Sequence, residues 1–236
     1  MSQLIISDKY KSSNYDIRKF EISLVILHYT ETKTLCDALE ILTSKKKKVS
    51  CHFLLDKNGD IYNLVDVSYR AWHAGESMWK DQKDINSRSI GIEIVNSGEL
   101  NKDIYTDKQI TSLSLLLNEL MRKFTISEIL GHSDIAPLRK IDPGSHFPWQ
   151  KLYYLIGFDW ITDRVCDEKL SDDHFFDFLI KLKELGYNYL SLNEFNQTNS
   201  LVIDAFHRKF LPNLLKKELT FTSLNKVSDL LKKNID

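Results

Sequence analysis

Apolar and polar positions follow two different patterns along the chain, and the change between them falls near residue 160. Before that point, continuous apolar runs at residues 22–28 and 89–96 predict buried strands. Leucines and isoleucines spaced for one helical face predict helices over 34–46 and 106–124, and Thr106 with Gln109 predicts a capping box for the second. Strands alternating with helices predict an α/β fold, a mixed central β-sheet flanked by helices.

A hairpin is predicted within this sheet, between the β-rich arms of residues 51–66. Asn58 and Gly59 lie between the two arms. This pair favours a two-residue turn in which both residues have positive φ. The hairpin would supply the antiparallel pair of the mixed sheet.

After Trp160 the pattern is helical only. Three short amphipathic stripes are marked by Phe175, Phe176, Leu179, Leu182 and Leu185, by Leu201, Val202, Ala205, Phe206 and Phe210, and by Leu224, Val227, Leu230 and Leu231. Gly186 and Pro212 are placed to end the first two. The stripes predict a small all-α C-terminal bundle, and the chain is divided into a domain of residues 1–160 and a second of 161–236.

Composition excludes several classes of protein. Lys+Arg 32 against Asp+Glu 33 gives a formal net charge of -1, which argues against a nucleic-acid partner. No apolar run approaches the ~18 residues that a transmembrane segment needs. The lysine run at 45–48 is interpreted as a solvated helix end, with a contact to an anionic polymer as the alternative. Three cysteines without C-x-x-C spacing predict no disulfide framework and no cysteine-rich zinc site.

A carboxylate inside an apolar strand is the first candidate for chemistry. Glu93 lies between isoleucines in "SIGIEIVN", on the opposite face from Ile92 and Ile94. If it is buried, desolvation raises its pKa toward the range of a general base. Pairing with a buried cation is an equal alternative.

Two histidines at predicted strand ends are the second candidate. His28 and His132 each follow an apolar run, and Asp142 lies in the proline-containing loop after His132. A lone strand-end histidine is more often a structural hydrogen-bonding residue. Two imidazoles and one carboxylate together have the composition of a catalytic zinc site with an open fourth position. Their spacing alone does not establish such a site.

The order of several motifs resembles one family. The segments "VILHYT", "VSCHFLLDKNGDIYNLVD", "AWHAGESMW", "NSRSIGIEIVNSG" and "GHSDIAPLRKIDPGSHFPWQKL" are similar to successive motifs of the AmpD/AmiD-type zinc N-acetylmuramoyl-L-alanine amidases. The resemblance covers about residues 22–153. A weaker match after residue 160 resembles the peptidoglycan-binding-like helical domain of the AmiD branch.

The resemblance implies a bacterial enzyme of cell-wall degradation or recycling that holds one Zn²⁺ per chain. It would hydrolyse the amide between the lactyl group of (anhydro-)N-acetylmuramic acid and L-alanine of the stem peptide, with peptidoglycan fragments or anhydro-muropeptides as partners. The implied metal ligands are His28, His132 and Asp142, and the implied catalytic residues are Glu93 and Lys140. The predicted substrate-binding residues are Trp72, His73, His52, Asn86 and Arg139, with a core position as the alternative for the tryptophans Trp72 and Trp79.

Two rival functions are retained. One is a non-catalytic peptidoglycan-recognition protein of the same fold, and the other is a cysteine hydrolase using Cys51, which needs an accessible thiolate. The N-terminal residues lack the apolar core of a signal peptide, which predicts the bacterial cytoplasm, with the periplasm as the alternative. His146, His174 and His207 are interpreted as structural, and the pattern predicts no oligomeric state.

Overall fold

The structure is a computed structural model and describes residues 4–233. The strands are β1 (Ile6–Ser7), β2 (Tyr15–Ile17), β3 (Leu24–Tyr29), β4 (Phe53–Leu55), β5 (Ile61–Asn63), β6 (Tyr69–Ala71), β7 (Ser89–Ile94) and β8 (Glu128–Gly131). The α-helices are α1 (Leu35–Leu42), α2 (Ile85–Arg88), α3 (Asp107–Lys123), α4 (His132–Ile135), α5 (Trp149–Leu155), α6 (Asp172–Leu185), α7 (Gln197–Phe210) and α8 (Phe221–Lys233). Within residues 4–233, none of these helices has the length and apolar character required to cross a membrane.

Six strands form one mixed sheet in the order β1-β5-β4-β7-β3-β8. The pairs β3–β7, β3–β8, β4–β7 and β1–β5 are parallel, and β4–β5 is antiparallel. Strands β2 and β6 form a separate antiparallel pair. The predicted α/β fold with a mixed sheet is therefore confirmed, and the predicted hairpin supplies its antiparallel pair.

The turn of the β4–β5 hairpin differs from the prediction. Gly59 has φ +85, but Asn58 is not among the residues with positive φ. The Gly59 N–H donates to the Asp56 carbonyl at 3.1 Å, and the Asp56 carboxylate accepts from the N–H groups of Asn58 and Asp60 at 2.8 and 3.0 Å. The five residues between β4 and β5 therefore include one left-handed position, because the Asp56 side chain organises the turn.

The two faces of the central strands bury different helices. Val25, Leu27 and Ile92 face α3, whose N-terminus carries the predicted capping box of Thr106 and Gln109. Residues Ile26 and His28 alternate to the opposite face. The parallel register pairs Ile26 with Gly91 and His28 with Glu93, so the histidine and the carboxylate are neighbours on that face.

The three predicted C-terminal helices are present as α6, α7 and α8, and they cover this opposite face. Phe178 and Leu182 of α6 and Phe206 of α7 belong to the same buried cluster as Leu24 and Ile26 of β3. The helices therefore share a core with the sheet. A domain boundary at residue 160 stays a prediction.

The lysine run lies outside the helix that precedes it. Helix α1 ends at Leu42, with Thr43 as its C-cap. Residues 45–48 form an exposed turn beyond that end. Their solvated position agrees with the interpretation from sequence, although they extend past the helix terminus.

Candidate active site

Two parallel strands and one loop bring three polar side chains together. His28 lies near the carboxyl end of β3, and His132 is the first residue of α4, directly after β8. Asp142 lies in the loop that follows α4, and its carbonyl accepts the Ser133 N–H at 2.9 Å. This backbone bond ties the loop to the start of α4, so two of the three side chains are held by one short segment.

The three side chains form a small buried triangle. Nδ1 of His28 lies 2.9 Å from Oδ2 of Asp142, and Nδ1 of His132 lies 3.0 Å from the same oxygen. The two Nδ1 atoms are 3.0 Å apart. The residues are 1%, 3% and 5% exposed, so protein atoms enclose most of each side chain.

The second nitrogen of His28 begins a chain of hydrogen bonds that determines its tautomer. His28 Nε2 lies 3.1 Å from His73 Nδ1, and His73 Nε2 lies 3.3 Å from the Ser89 hydroxyl, which donates to the Ile85 carbonyl at 2.6 Å. A carbonyl only accepts, so the Ser89 oxygen accepts from His73 Nε2–H and His73 Nδ1 accepts from His28 Nε2–H. His28 Nδ1 is thereby left with a lone pair directed at Asp142.

The same reasoning applies to His132. Its Nε2 donates to the Ala74 carbonyl at 3.1 Å. The Arg139 guanidinium lies 3.4 Å from this nitrogen, but it donates to the Ala74 and Glu76 carbonyls instead. Nδ1 of His132 is therefore also a lone-pair atom.

Three acceptors thus converge, so a cation must lie between them, either a proton or a metal ion. Bond lengths of about 2.0–2.1 Å at tetrahedral angles place zinc ligand atoms about 3.3 Å apart. The separations of 2.9–3.0 Å in the triangle are close to that spacing. His28, His132 and Asp142 therefore fit a metal ion and leave a fourth position open.

The ionisation of the triangle also favours a cation. Burial, with His132 nearby, lowers the pKa of His28 to about 4, so its imidazole is neutral at pH 7. Burial raises the pKa of Asp142, but positive charge and N–H donation at His132 and His28, which a bound metal ion would replace, outweigh that effect and hold the pKa below its usual range. Asp142 is therefore ionised, and neutral imidazole with ionised carboxylate is the form in which both groups bind metals.

Glu93 provides a different kind of carboxylate on the adjacent strand. Its side chain is partly exposed, but Oε2 is buried and has no hydrogen-bond partner among the described residues. Burial raises the pKa of Glu93 well above its usual value, the charge of Asp142 adds to this, and Lys140 opposes it. Within residues 4–233, no buried Lys or Arg donates a hydrogen bond to the Glu93 carboxyl, so the alternative of a paired Glu is not observed. A carboxyl with a raised pKa suits proton transfer.

Lys140 lies in the same loop as Asp142 and is partly exposed. Its backbone N–H donates to the Ala136 carbonyl at 3.0 Å. Its charge acts on Glu93 and, after the larger effects of burial and His132, on His28. The ammonium is therefore close enough to interact electrostatically with both Glu93 and His28.

Three of the predicted substrate-binding residues, His52, His73 and Asn86, are buried and make polar contacts within the protein. His73 is 8% exposed and supports His28, whereas His52 accepts the Gly91 N–H at Nδ1. The Asn86 side-chain oxygen accepts the N–H groups of His73 and Ala74 at 3.0 and 2.7 Å. These contacts direct their polar atoms into the protein, where they support the backbone and His28, and a role of these residues in substrate binding stays a prediction.

The remaining two, Trp72 and Arg139, keep surface positions. Trp72 is partly exposed, and its Nε1 donates to Asp16 at 2.7 Å. Arg139 is exposed and donates to backbone carbonyls of residues 74 and 76. Their role in substrate binding stays a prediction. Trp79, by contrast, is 3% exposed and belongs to the core.

The contact between His73 and His28 was not predicted from the sequence. A Cβ on Gly91 would lie 2.3 Å from the His73 ring, so the ring rests against the backbone of β7. A glycine within an apolar strand is a recognised signal of such a close approach. That signal was available in "SIGIEIVN" but does not identify which side chain approaches.

Cys51 does not have the environment of a nucleophile. Its side chain is completely buried. Burial raises the pKa of the thiol well above its usual value, and the nearby Glu93 carboxyl adds to this. A protonated, inaccessible thiol does not support the cysteine-hydrolase alternative.

The other three histidines lie outside the triangle, and their structural role stays an interpretation. His207 Nε2 lies 2.9 Å from the Ser223 hydroxyl, between α7 and α8. His174 contacts the Ser171 hydroxyl that caps α6. His146 is exposed and contacts Ser145.

Comparison with known proteins places residues 18–145 in the family described as N-acetylmuramoyl-L-alanine amidase. The 1,6-anhydro-N-acetylmuramyl-L-alanine amidase AmpD of Haemophilus influenzae is 43% identical over 107 residues, which is 44% of this chain and 56% of the relative. The N-acetylmuramoyl-L-alanine amidase AmiD of Escherichia coli is 36% identical over 146 residues, or 56% of this chain and 52% of the relative. The chain thus spans about half the length of the curated relatives it matches.

A solved structure extends the similarity to the C-terminal helices. The complex of AmiD from E. coli with the substrate anhydro-N-acetylmuramic acid-L-Ala-D-gamma-Glu-L-Lys matches with a TM-score of 0.79 and 28% identity. The match covers 95% of this chain and 93% of that chain. The similarity in fold therefore includes the helical layer as well as the sheet.

Proposed function

This chain belongs to the N-acetylmuramoyl-L-alanine amidase family, and from this premise we propose that it is a zinc-dependent amidase of bacterial peptidoglycan turnover or recycling. The bond hydrolysed is the amide between the lactyl group of N-acetylmuramic acid and the L-alanine of the stem peptide. One Zn²⁺ per chain would be held by His28, His132 and Asp142. Glu93 and Lys140 are the proposed catalytic residues.

One observation carries this proposal. Three lone-pair atoms, separated by 2.9–3.0 Å, converge beside a buried carboxyl oxygen without a hydrogen-bond partner among the described residues. The triangle is suited to a cation, and the carboxyl is suited to a proton. A protein that only binds its ligand has no need of a buried carboxyl suited to proton transfer.

The reaction divides its tasks between the ion and the side chains. Held by His28, His132 and Asp142, a Zn²⁺ ion would lower the pKa of a bound water toward about 7 and would polarise the carbonyl oxygen. Glu93 takes a proton from the attacking water, whose oxygen forms the new bond to the lactyl carbonyl carbon. Glu93 then gives that proton to the departing L-alanine amine as the C–N bond breaks. The second proton of the water stays on the new lactyl carboxylic acid and is then lost to solvent, so the products are a lactyl carboxylate, a free α-amine and one released proton.

Lys140 is proposed to stabilise the negative charge that develops on the lactyl oxygen. It lies two residues before Asp142, and its charge acts on Glu93 and His28. An ammonium at this position contributes most where the charge is greatest, in the transition state. It would leave substrate binding less affected than turnover.

The proposed substrate is a muropeptide, since the related AmiD structure contains an anhydromuramoyl peptide. Within the predicted substrate-binding set, Trp72 is partly exposed and Arg139 is exposed. Both side chains would form part of the groove wall. An aromatic face suits a sugar ring, and a guanidinium suits a peptide carboxylate.

We propose a bacterial cytoplasmic location, with the periplasm as the alternative. Cys36, Cys51 and Cys166 are all unpaired. Free thiols are typical of a reducing compartment. Fractionation of the producing cells tests this, and recovery in the periplasmic fraction would contradict it.

Metal analysis combined with turnover tests the proposed function. We expect one zinc per chain and release of the stem peptide from anhydro-muropeptide, both lost after chelation and restored by zinc. Intact sacculi assayed in parallel would distinguish wall cleavage from recycling of soluble fragments. A protein that retains the muropeptide without cleaving it would instead be a recognition protein.

A further inference from the structure

A buried carboxylate lies two residues beyond His132 and takes no part in the triangle. Asp134 is 1% exposed. Its Oδ2 accepts the Gly131 N–H at 2.7 Å, and its Oδ1 accepts the Tyr187 hydroxyl at 2.6 Å. Nζ of Lys209 lies 3.5 Å from Oδ2. A buried carboxyl group needs polar partners, and these three contacts supply them.

Two of these three contacts come from the C-terminal helices. Tyr187 follows the end of α6, and Lys209 lies in the last turn of α7. Lys209 also donates to the Ile129 carbonyl of β8 at 2.8 Å. The helical layer therefore contacts the chain on both sides of His132, at residue 129 before it and at residue 134 after it.

The neighbouring residue of α7 reaches the far end of the same segment. Arg208 Nε lies 3.3 Å from Oε2 of Glu99. That carboxylate oxygen accepts the Ser145 N–H at 3.0 Å, three residues after Asp142. Adjacent residues of one helix thus act on both ends of the segment that carries His132 and Asp142.

We propose that Asp134, Tyr187 and Lys209 are positioning residues for His132, through which the C-terminal helices determine how tightly the site holds its metal. The Gly131–Asp134 hydrogen bond fixes the first turn of α4, where His132 begins. Metal ligands must be held within a few tenths of an ångström, so loosening this turn weakens the ion's binding. The inference rests on the proposed function only in taking the triangle as a metal site.

The variant Tyr187→Phe tests this with little change to the core. It removes the hydroxyl and keeps the ring, which packs against Trp79 and Phe206. Tyr189→Phe is the matched control, because Tyr189 packs on the same cluster and its hydroxyl has no hydrogen bond among the described residues. Two readouts are compared: amide hydrogen exchange of residues 131–135 in metal-free protein, and zinc affinity measured by competition with a chromogenic chelator.

We expect Tyr187→Phe to speed exchange of this turn and to weaken zinc binding, each about tenfold. The control should remain within about twofold of the parent in both measurements. If Tyr187→Phe matches its control in exchange and in zinc affinity, the proposal is overturned.

A second pair of substitutions tests the contact with Lys209. Lys209→Met and Asp134→Asn, combined, should weaken zinc binding by less than the product of their separate effects, because each alone leaves its partner buried and uncompensated. Effects that simply multiply would show that the two residues act independently and would contradict the proposal.

These measurements are separable from the test of the reaction. Hydrogen exchange uses neither metal nor substrate. If zinc-loaded parent protein cleaves no muropeptide while Tyr187→Phe still speeds exchange and weakens zinc binding, the proposed reaction fails and the positioning role stands. If the parent cleaves muropeptide normally while Tyr187→Phe matches its control in hydrogen exchange and zinc affinity, the proposed reaction stands and the positioning role fails.

Discussion

Replacing Glu93 by glutamine separates proton transfer from metal binding. Glu93 is paired in register with His28 across β7 and β3, yet its Oε2 has no hydrogen-bond partner within residues 4–233. Glu93→Gln keeps the length of the side chain and its place on the strand. It removes only the ability to accept a proton from the attacking water. The variant should therefore bind zinc as the parent does and turn over much more slowly.

The size of the loss follows from the neighbouring groups. A positioned general base contributes about 10²–10⁴-fold to a rate. Asp142 has one oxygen shared by both imidazoles, and the pKa of His28 is lowered to about 4 by burial and by His132. Neither is suited to replace the base, so we expect a loss of about 10³–10⁴-fold. That corresponds to about 4–5.5 kcal/mol of activation free energy.

Stability gives an independent check on the same residue. Burial raises the pKa of Glu93 in the folded protein, so the folded state holds this proton more tightly than the unfolded state. The free energy of unfolding of metal-free parent protein therefore falls as pH rises from the unfolded pKa toward the folded one. Glutamine does not titrate, so metal-free Glu93→Gln should be more stable than the parent at pH 7. Urea unfolding at pH 4 and pH 7 measures this difference.

The assay follows release of stem peptide by liquid chromatography, with zinc measured on the same samples. Glu40→Gln, an exposed change on α1, is the matched control and should behave as the parent does. Cleavage by Glu93→Gln within tenfold of the parent would refute Glu93 as the base. Loss of zinc from this variant would instead indicate that the carboxylate holds the metal.

Three further predictions concern the metal and its surroundings. His73→Phe keeps a ring against Gly91 but removes the acceptor for His28 Nε2–H, so zinc affinity should fall about 10–100-fold in a chelator competition; an unchanged affinity would contradict the tautomer assignment. Lys140→Met should lower kcat about 10²–10³-fold with zinc content and KM little changed. A fall confined to KM would place Lys140 in ground-state binding instead. Removing zinc should lower the melting temperature, since an ion present at 100 times its Kd stabilises the fold by about 2.7 kcal/mol, or roughly 5–11 °C for a chain of this size. Calorimetry with and without added zinc measures the shift, and identical curves would mean that no ion binds the folded state.

The sheet and its covering helix were predictable because their signals are local. The apolar runs of β3 and β7 and the Thr106–Gln109 box of α3 depend on residues that are neighbours in sequence. The turn at Gly59 was predicted incorrectly, because the side chain of Asp56 accepts two backbone N–H groups and changes the turn type. Pair statistics for Asn-Gly do not include a side chain from outside the pair.

The types of residue in the site could be predicted from the sequence, but the contacts between their side chains could not. His28, His132 and Asp142 lie together, as the resemblance implies, whereas the contact of His73 with His28 is visible only in the structure. The role of Asp134 is not visible in the sequence, because its partner Tyr187 is more than fifty residues away. Apolar stripes indicate that a helix buries one face, but they do not indicate which surface that face covers. The attachment of the C-terminal helices to the sheet is therefore visible only in the structure.

Cleavage in ¹⁸O-labelled water tests the central claim most directly. Zinc-loaded protein is incubated with anhydro-muropeptide in labelled water, and the masses of both products are measured by mass spectrometry. Hydrolysis of the lactyl amide predicts one ¹⁸O in the carboxylate of the muramic acid product and none in the peptide, which leaves with a free L-alanine amine. Label in the peptide, or an intact muropeptide in the presence of zinc, would contradict the account.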